Sequence, residues 1–489
     1  MKILAGYNQE SRRDEYNTAY REAFPGNELH QLDAGGADVQ FNSGSASEYA
    51  IRSVFGRLNY NYKEKYLFES NVRYDVTSRL PAGNRGGLFP SVSAAWRISE
   101  EQFMQNVGFI SYLKIRASYG TLGNQNIGYY PYQDMITLTG NYPFGNTVST
   151  GAKYTTLSNT NLKWEETTIK DIGIDFGLFE GKISATVDVY DKVTKDILRS
   201  QQIPGIVGLE GPTVNSGTVR NTGLELGLTH HGYFGSFKYD IGGNFNTFKN
   251  ELINFGEAEV LDYLLWKENY PINSFYMYEW IGIFQDQGEI DSSPEQAFDP
   301  QPGDLKFKDQ NGDDVVDSED RIIMDGQYPT FEYAFHLNAR WKDFDFTAFF
   351  QGVEGKKHFS KLTGFEPFYQ GTGCTTKWID RWTPENHSTT MPRIYIAEAH
   401  EYYNQLCSYF LHDASYLRLK NVQIGYTLPR SLTQKIKINS LRIFFSGDNL
   451  LTFTDYPGLD PEWSRASWAE QMLGYPQNKV YALGIDLNF

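Results

Sequence analysis

Tyr481-Ala482-Leu483-Gly484-Ile485-Asp486-Leu487-Asn488-Phe489 places five apolar side chains at odd positions, with small or polar residues between them. Successive side chains of a β-strand point to opposite faces, so this is a strand with one greasy and one polar face. The same period of two recurs along the chain. Tyr66, Phe68, Val72, Tyr74 and Val76 alternate with Glu69, Asn71, Arg73, Asp75 and Thr77. Ile172, Ile174, Phe176 and Leu178 alternate with Asp171, Gly173, Asp175 and Gly177. Leu224, Leu226 and Leu228 alternate with Glu225, Gly227 and Thr229, and Tyr333, Phe335, Leu337, Ala339 and Trp341 with Ala334, His336, Asn338 and Arg340.

The pattern predicts about 14 strands, near 2–11, 51–62, 66–77, 89–98, 112–121, 168–178, 183–197, 219–233, 237–248, 331–341, 344–352, 415–427, 440–452 and 479–489. Many run to about ten residues, near the 9–11 a tilted strand needs to cross a bilayer and longer than the five or six usual in soluble sheets. The links sort by parity. Those at 63–65, 99–111, 179–182, 234–236, 342–343 and 428–439 are tight or modest; those at 12–50, 122–167, 198–218, 249–330, 353–414 and 453–478 are long, with 78–88 intermediate. Short turns on one side and long loops on the other is the outer-membrane plan, and a sandwich has no reason to adopt it. Aromatics gather at strand ends (Tyr60, Tyr62, Tyr66, Trp96, Trp164, Tyr233, Phe234, Trp341 and Phe344), where amphipathic rings suit a headgroup layer. The expected fold is all-β: a transmembrane antiparallel β-barrel with long extracellular loops and short periplasmic turns. Residues 429–437 are expected to form at most one helical turn.

Composition agrees. Among 489 residues there are 34 Tyr, 33 Phe and 45 Gly, and mean hydropathy is −0.50. No apolar run reaches 18 residues, which excludes helical spans but not a barrel, where only alternate residues meet lipid. The formal charge of −16 argues against nucleic acid, whose phosphates need a basic face. Cys374 and Cys407 fall in one expected loop, and the sequence leaves open a single disulfide or two unpaired thiols. Residues 1–6 start like an export signal, but Tyr7, Asn8, Gln9 and Glu10 end the apolar stretch at once. The natural start is therefore expected upstream, with earlier strands preceding these.

Several stretches carry a resemblance. They are Arg57-Leu58-Asn59-Tyr60 with Tyr66-Leu67-Phe68-Glu69, residues 89–98 (FPSVSAAWRI), residues 113–120 (LKIRASYG) followed by Gly123-Asn124-Gln125, and Asn161-Leu162-Lys163-Trp164-Glu165. Asn221-Thr222-Gly223-Leu224-Glu225, residues 414–419 (ASYLRL) and Gly447-Asp448-Asn449-Leu450 complete the series. In this order they resemble the SusC/RagA-like TonB-dependent transporters of Bacteroidetes outer membranes, over essentially the whole chain. The resemblance implies a 22-stranded barrel around a plug, importing glycan or peptide fragments. It further implies a SusD-like surface lipoprotein as lid and a TonB complex acting on an N-terminal segment. Residues 1–489 would then be the C-terminal part of the barrel, with signal peptide, N-terminal domain, plug and about eight strands lying outside it. Outer-membrane barrels of this kind end in an aromatic insertion signal, which Gly484, Leu487 and Phe489 resemble in spacing.

One stretch reads like a calcium loop. Asp309, Asn311, Asp313, Asp317 and Asp320 supply side-chain oxygens at positions 1, 3, 5, 9 and 12, and the Val315 carbonyl falls at 7. Asp314 stands where glycine is expected and Asp320 where a bidentate glutamate is commonest; the other reading is an acidic turn without metal. Loop aromatics (Tyr129, Tyr130, Tyr132, Trp266, Tyr270, Tyr276, Tyr278, Trp280, Trp378, Trp382, Trp463 and Trp468) suit sugar faces or a protein interface, or pack the loops together. The eight His residues have no metal spacing, and no nucleophile–base set or phosphate loop is visible, so an enzyme is not expected. The favoured reading is an energy-coupled importer for oligomeric nutrients. A passive pore and a soluble surface glycan-binding β-protein are the alternatives.

Overall fold

The alternation becomes strand pairing along the whole chain. The computed structural model describes residues 1–138, 140–296, 299–360, 374–395, 406–462 and 476–489. Its main strands are Lys2–Arg21 (β1), Gln40–Tyr62 (β2), Tyr66–Thr77 (β3), Gly86–Arg97 (β4), Ile110–Asn124 (β5), Glu165–Leu178 (β6) and Ile183–Lys195 (β7). They continue with Thr218–Phe234 (β8), Phe237–Asn254 (β9), Phe331–Trp341 (β10), Phe344–Glu354 (β11), Tyr416–Thr427 (β12), Ser440–Thr454 (β13) and Val480–Asn488 (β14). All 14 form one antiparallel sheet in which each strand neighbours the next in sequence. The expected number and order hold.

One expected loop is instead strand. Residues 12–21 and 40–50 continue β1 and β2 as a ribbon, in register from Lys2↔Asn59 to Arg21↔Gln40. Its side chains are exposed on both faces almost throughout. Hydrophobic period reports a face turned to lipid or to a core, and a ribbon wet on both sides has none, so its sequence reads as loop. Local pairs such as Arg12–Asp14 at 2.9 Å and Arg13–Glu15 at 2.7 Å decorate it.

The chain divides into two compact units. The first comprises Met1–Trp96, Arg116–Asp171 and Lys192–Thr218; the second comprises Arg97–Ile115, Ile172–Asp191 and Val219–Phe489.

In the first unit, register joins the apolar sets: Tyr60↔Phe68, Val54↔Tyr74, Tyr74↔Leu88 and Tyr66↔Trp96. Paired residues lie on one face, so this face is apolar from strand to strand. It is uncovered, with Val54 at 58% and Val72 at 46% exposure. Asn161-Leu162-Lys163-Trp164-Glu165 acts as a clasp here. Leu162 is fully buried, Trp164 Nε1 donates to the Arg85 carbonyl at 3.1 Å, and the Asn215 amide donates to the Lys163 carbonyl at 2.9 Å.

The second unit repeats the plan. Ile241↔Leu337, Trp341↔Phe344, Phe344↔Tyr426, Ile424↔Phe445, Phe445↔Leu483 and Ile443↔Ile485 build one apolar face. Leu483 is 77% and Ile485 62% exposed. Among the described residues no second sheet lies over this face, as a soluble sandwich would require. Glycines under aromatic rings keep the opposite face close: a Cβ on Gly484 would sit 2.2 Å from the Phe444 ring.

The buried core lies in the long connections. Phe275, Met277, Ile283, Leu305, Phe307, Phe359, Cys407 and Phe410 form one cluster. A small sheet of 259–261, 264–266, 274–278 and 321–324 supports it. Sequence alternation does not reveal these strands of three to five residues, because they are too short to show a period and 274–278 is buried on both faces. The short helix Arg430–Thr433 matches the expected turn; Gln287–Asp291 adds another.

His412 in this loop region is half-buried and pairs in register with buried His358. Burial, aided by the charge of Lys377, lowers its pKa to about 4. The folded loop therefore holds His412 neutral while the unfolded chain binds a proton near pH 6.5. Stability from this group is complete above about pH 6.5 and is lost as pH falls toward 4, by up to about 3 kcal/mol. Protease protection of the loop should fall over that window in the parent protein and vary less in His412→Gln. An identical profile in both would contradict the assignment.

Candidate functional surface

The face opposite the apolar one is a wall of paired charges. In the first unit, Arg57 Nε donates to Asn71 at 2.7 Å and Arg73 pairs with Asp75 at 2.8 Å, also donating to Ser53. Arg116 pairs with Asp171 at 3.2 Å. Glu165 accepts from the Leu198 amide at 3.1 Å and from the Asn124 side chain at 3.0 Å, so it ties two connections to β6.

In the second unit, Lys114 pairs with Asp175 at 2.5 Å. Arg442 on β13 binds Asp345 of β11 bidentately at 2.6 and 2.9 Å and Asp486 of β14 at 3.0 Å. Asp240 on β9 receives His231 of β8 at 2.5 Å, and His336 at 2.8 Å and Asn338 at 3.2 Å from β10. Residue parity places each of these side chains on the polar face. Their meeting depends on inter-strand register, which alternation does not encode, so the Asp240 cluster escapes a reading of the sequence.

Chemically this wall keeps its charges matched locally, because Arg73, Lys114, Arg116 and Arg442 each face a carboxylate. Among the described residues no group of three or more His, Cys, Asp and Glu converges as a metal site.

The acidic stretch at 309–320 makes a different use of its oxygens. Asp309 accepts from the amides of Gly312 at 2.6 Å and Asp314 at 3.0 Å; Asn311 accepts from Asp313 and Asp313 from Val315, both at 3.0 Å. Asp317 caps Glu319 at 2.8 Å, and fully buried Asp320 accepts from Gln310 at 2.7 Å and Asp317 at 2.8 Å. These side chains bond the loop's own backbone, as Asx turns do, and do not converge on a shared point. They do not fit a calcium cage. Nearby, the Gln310 side chain, with Lys308, holds the Glu279 carboxyl below its usual range.

Loop aromatics mostly pack. Trp378 and Trp382 are buried, as is Tyr278. Trp280 Nε1 donates to the Gly282 carbonyl at 2.6 Å and its ring meets Tyr409 edge-on at 5.1 Å; Trp266 donates to Asn273 at 2.6 Å. Tyr276 lies on the small loop sheet, opposite Ile323, and Tyr270 is 38% exposed. Tyr129 and Tyr130 secure the β1–β2 ribbon through Asp14 and the Glu48 carbonyl, both at 2.6 Å, and Tyr132 packs edge-on against Tyr130. Trp463 and Trp468 lie outside the described residues. Cys374 is exposed and Cys407 buried, and no disulfide joins them in this structure. Gly484 and Leu487 lie on β14, Leu487 opposite Leu441, with Phe489 exposed just beyond.

A family profile described as "TonB dependent receptor-like, beta-barrel" matches residues 3–450. The chain belongs to the TonB-dependent receptor β-barrel family. That family resides in the outer membrane, where the uncovered apolar face meets lipid. Among its relatives, TonB-dependent receptor P3 of Formosa agariphila is 30% identical over 100% of this chain and 50% of its own length. TonB-dependent receptor SusC of Bacteroides thetaiotaomicron is 28% identical over 93% of this chain and 45% of its own. The solved RagAB peptide transporter superposes with a TM-score of 0.82 at 27% identity, covering 100% of this chain and 53% of that one. The resemblance to SusC and RagA-like proteins therefore holds, and the chain spans about half the length of the relatives it matches.

Proposed function

We propose that this chain forms a large part of the wall of an energy-coupled outer-membrane importer for glycan or peptide oligomers. The observation that carries the reading is one continuous sheet with an uncovered apolar face and a face of mutually paired charges, bearing a folded core in its long connections. Such a wall passes hydrated polar oligomers without holding them through net charge. The names of the relatives, SusC and a RagAB peptide transporter, support an oligomeric cargo. The long connections would form the mouth and receive a SusD-like lipoprotein, and a TonB complex would supply energy through a segment outside this chain.

The test is uptake by cells expressing the complete protein against cells lacking it, across labelled oligosaccharides and peptides. Cells lacking the protein should lose uptake of one oligomer class but not of its monomer, and a protonophore should abolish that uptake in cells that have the protein. Uptake that survives the protonophore identifies a passive pore and overturns the proposal.

A further inference from the structure

The rim formed by the two neighbouring short connections of the second unit, 342–343 and 428–439, is cationic. It carries Lys342, Arg430, Lys435 and Lys437, all exposed, against a single acidic side chain, Asp343. The two connections are joined: the Thr427 amide donates to the Asp343 carbonyl at 2.9 Å. The longer one is pinned in place, with buried Thr433 and bonds from the Leu428 amide to the Leu441 carbonyl at 2.8 Å and from the Ile438 amide to the Thr433 carbonyl at 3.1 Å. Among the described residues none of the four cations makes an ion pair with a carboxylate.

Directly below them, on the lipid-facing side, runs a ladder of rings. Trp341 stacks on Phe344 at 6.5 Å and Phe344 meets Tyr426 at 4.7 Å. Lys342 Nζ stands 5.1 Å from the Trp341 ring centre, and Leu432 is 53% exposed beside the charges. Apolar rings that end at a row of unneutralised cations mark the depth where acyl chains give way to headgroups. The short connection 98–109 of the same unit differs, with Glu100 and Glu101 and no basic side chain.

We infer that this rim is a binding surface for anionic phospholipid, a bilayer lipid whose phosphodiester carries net negative charge, such as phosphatidylglycerol. The headgroup lies among Lys342, Arg430, Lys435 and Lys437 while its chains cover Trp341, Phe344 and Tyr426. Each basic residue near an anionic membrane surface favours partition by about fivefold, so four on one rim suffice for selection over a zwitterionic lipid. This rests on the membrane location of the sheet and is independent of the cargo.

The complete protein, purified and equilibrated with equal phosphatidylglycerol and phosphatidylethanolamine, is analysed for co-purifying lipid by native mass spectrometry. Enrichment of phosphatidylglycerol by about threefold or more is expected. The variant Lys342→Gln/Arg430→Gln/Lys435→Gln/Lys437→Gln should return to the bulk ratio, and Glu100→Gln/Glu101→Gln should stay enriched. No enrichment in the parent protein, or full enrichment in the fourfold variant, overturns the inference. Should the fourfold variant fail to fold, the parent protein decides: enrichment must fall from low to high salt, and salt-independent enrichment overturns it. Oligomer uptake is read separately, so loss of lipid preference with intact uptake condemns only this inference.

Discussion

Arginine at Ile485 should lower the stability of the lipid-embedded fold by about 2–4 kcal/mol, whereas arginine at Ala482 should cost less than about 1 kcal/mol. The two positions are three residues apart on β14 and therefore face opposite ways. Ile485 pairs with Ile443 on the uncovered apolar face and is 62% exposed to whatever surrounds the sheet. If that surrounding is hydrocarbon, a guanidinium there must be dehydrated or drag water inward. Ala482 pairs with Ser446 on the polar wall, where an added cation stays wet. Urea unfolding of the complete protein in lipid vesicles, followed by the heat-dependent gel shift of folded barrels, measures both. Equal penalties would mean that both faces see the same solvent.

Replacing Arg418 with alanine is expected to cost about 3–5 kcal/mol in the anchoring of residues 455–462, because a buried carboxylate loses its partner. Arg418 is 3% and Asp460 2% exposed. The guanidinium spans Asp460 at 2.7 Å, Glu462, and Thr452 Oγ1 at 2.9 Å on β13, and Lys420 adds a bond to Glu462 at 2.8 Å. Burial alone would raise the Asp460 carboxyl, but Arg418 and the amides of Glu462 and Gln477 outweigh it and hold it below its usual range. Limited proteolysis after Arg418→Ala should cut this connection at lower temperature than in the parent. The pair Arg418→Met/Asp460→Asn should recover much of the loss, since no uncompensated charge remains. Equal sensitivity of the double and single variants would show that packing, not charge pairing, secures the loop.

How much of this was written in the sequence differs by element. The interior of the strands was legible because one face meets lipid and the other water, so Leu483, Ile485 and Leu487 alternate with Gly484, Asp486 and Asn488. The ends were not. Arg12–Asp14 and Arg13–Glu15 lie on a ribbon wet on both sides, and the strand there is held by backbone pairing and by Tyr129 and Tyr130 from another connection, neither of which leaves an alternating pattern. The core around Phe275 and Phe410 was hidden too, since strands buried on both faces carry no alternation. Of the polar wall, sequence parity supplied which residues share the face. It could not supply which meet: Asp240 finds His231 and His336 only through register. The acidic residues at 309–320 show the opposite hazard, a ligand-like spacing whose oxygens bond their own turn.

Site-directed spin labels along β14 test the lipid-facing assignment most directly. Single cysteines at 481, 482, 483, 485 and 486, with Cys374 and Cys407 replaced by serine, carry the label in the complete protein reconstituted into bilayers. Collision with dissolved oxygen should dominate at 481, 483 and 485, and collision with a water-soluble nickel chelate at 482 and 486. Nickel access at the odd positions, or shielding of all five from both agents as in a dry interior, would contradict a sheet wetted by lipid on one side and water on the other.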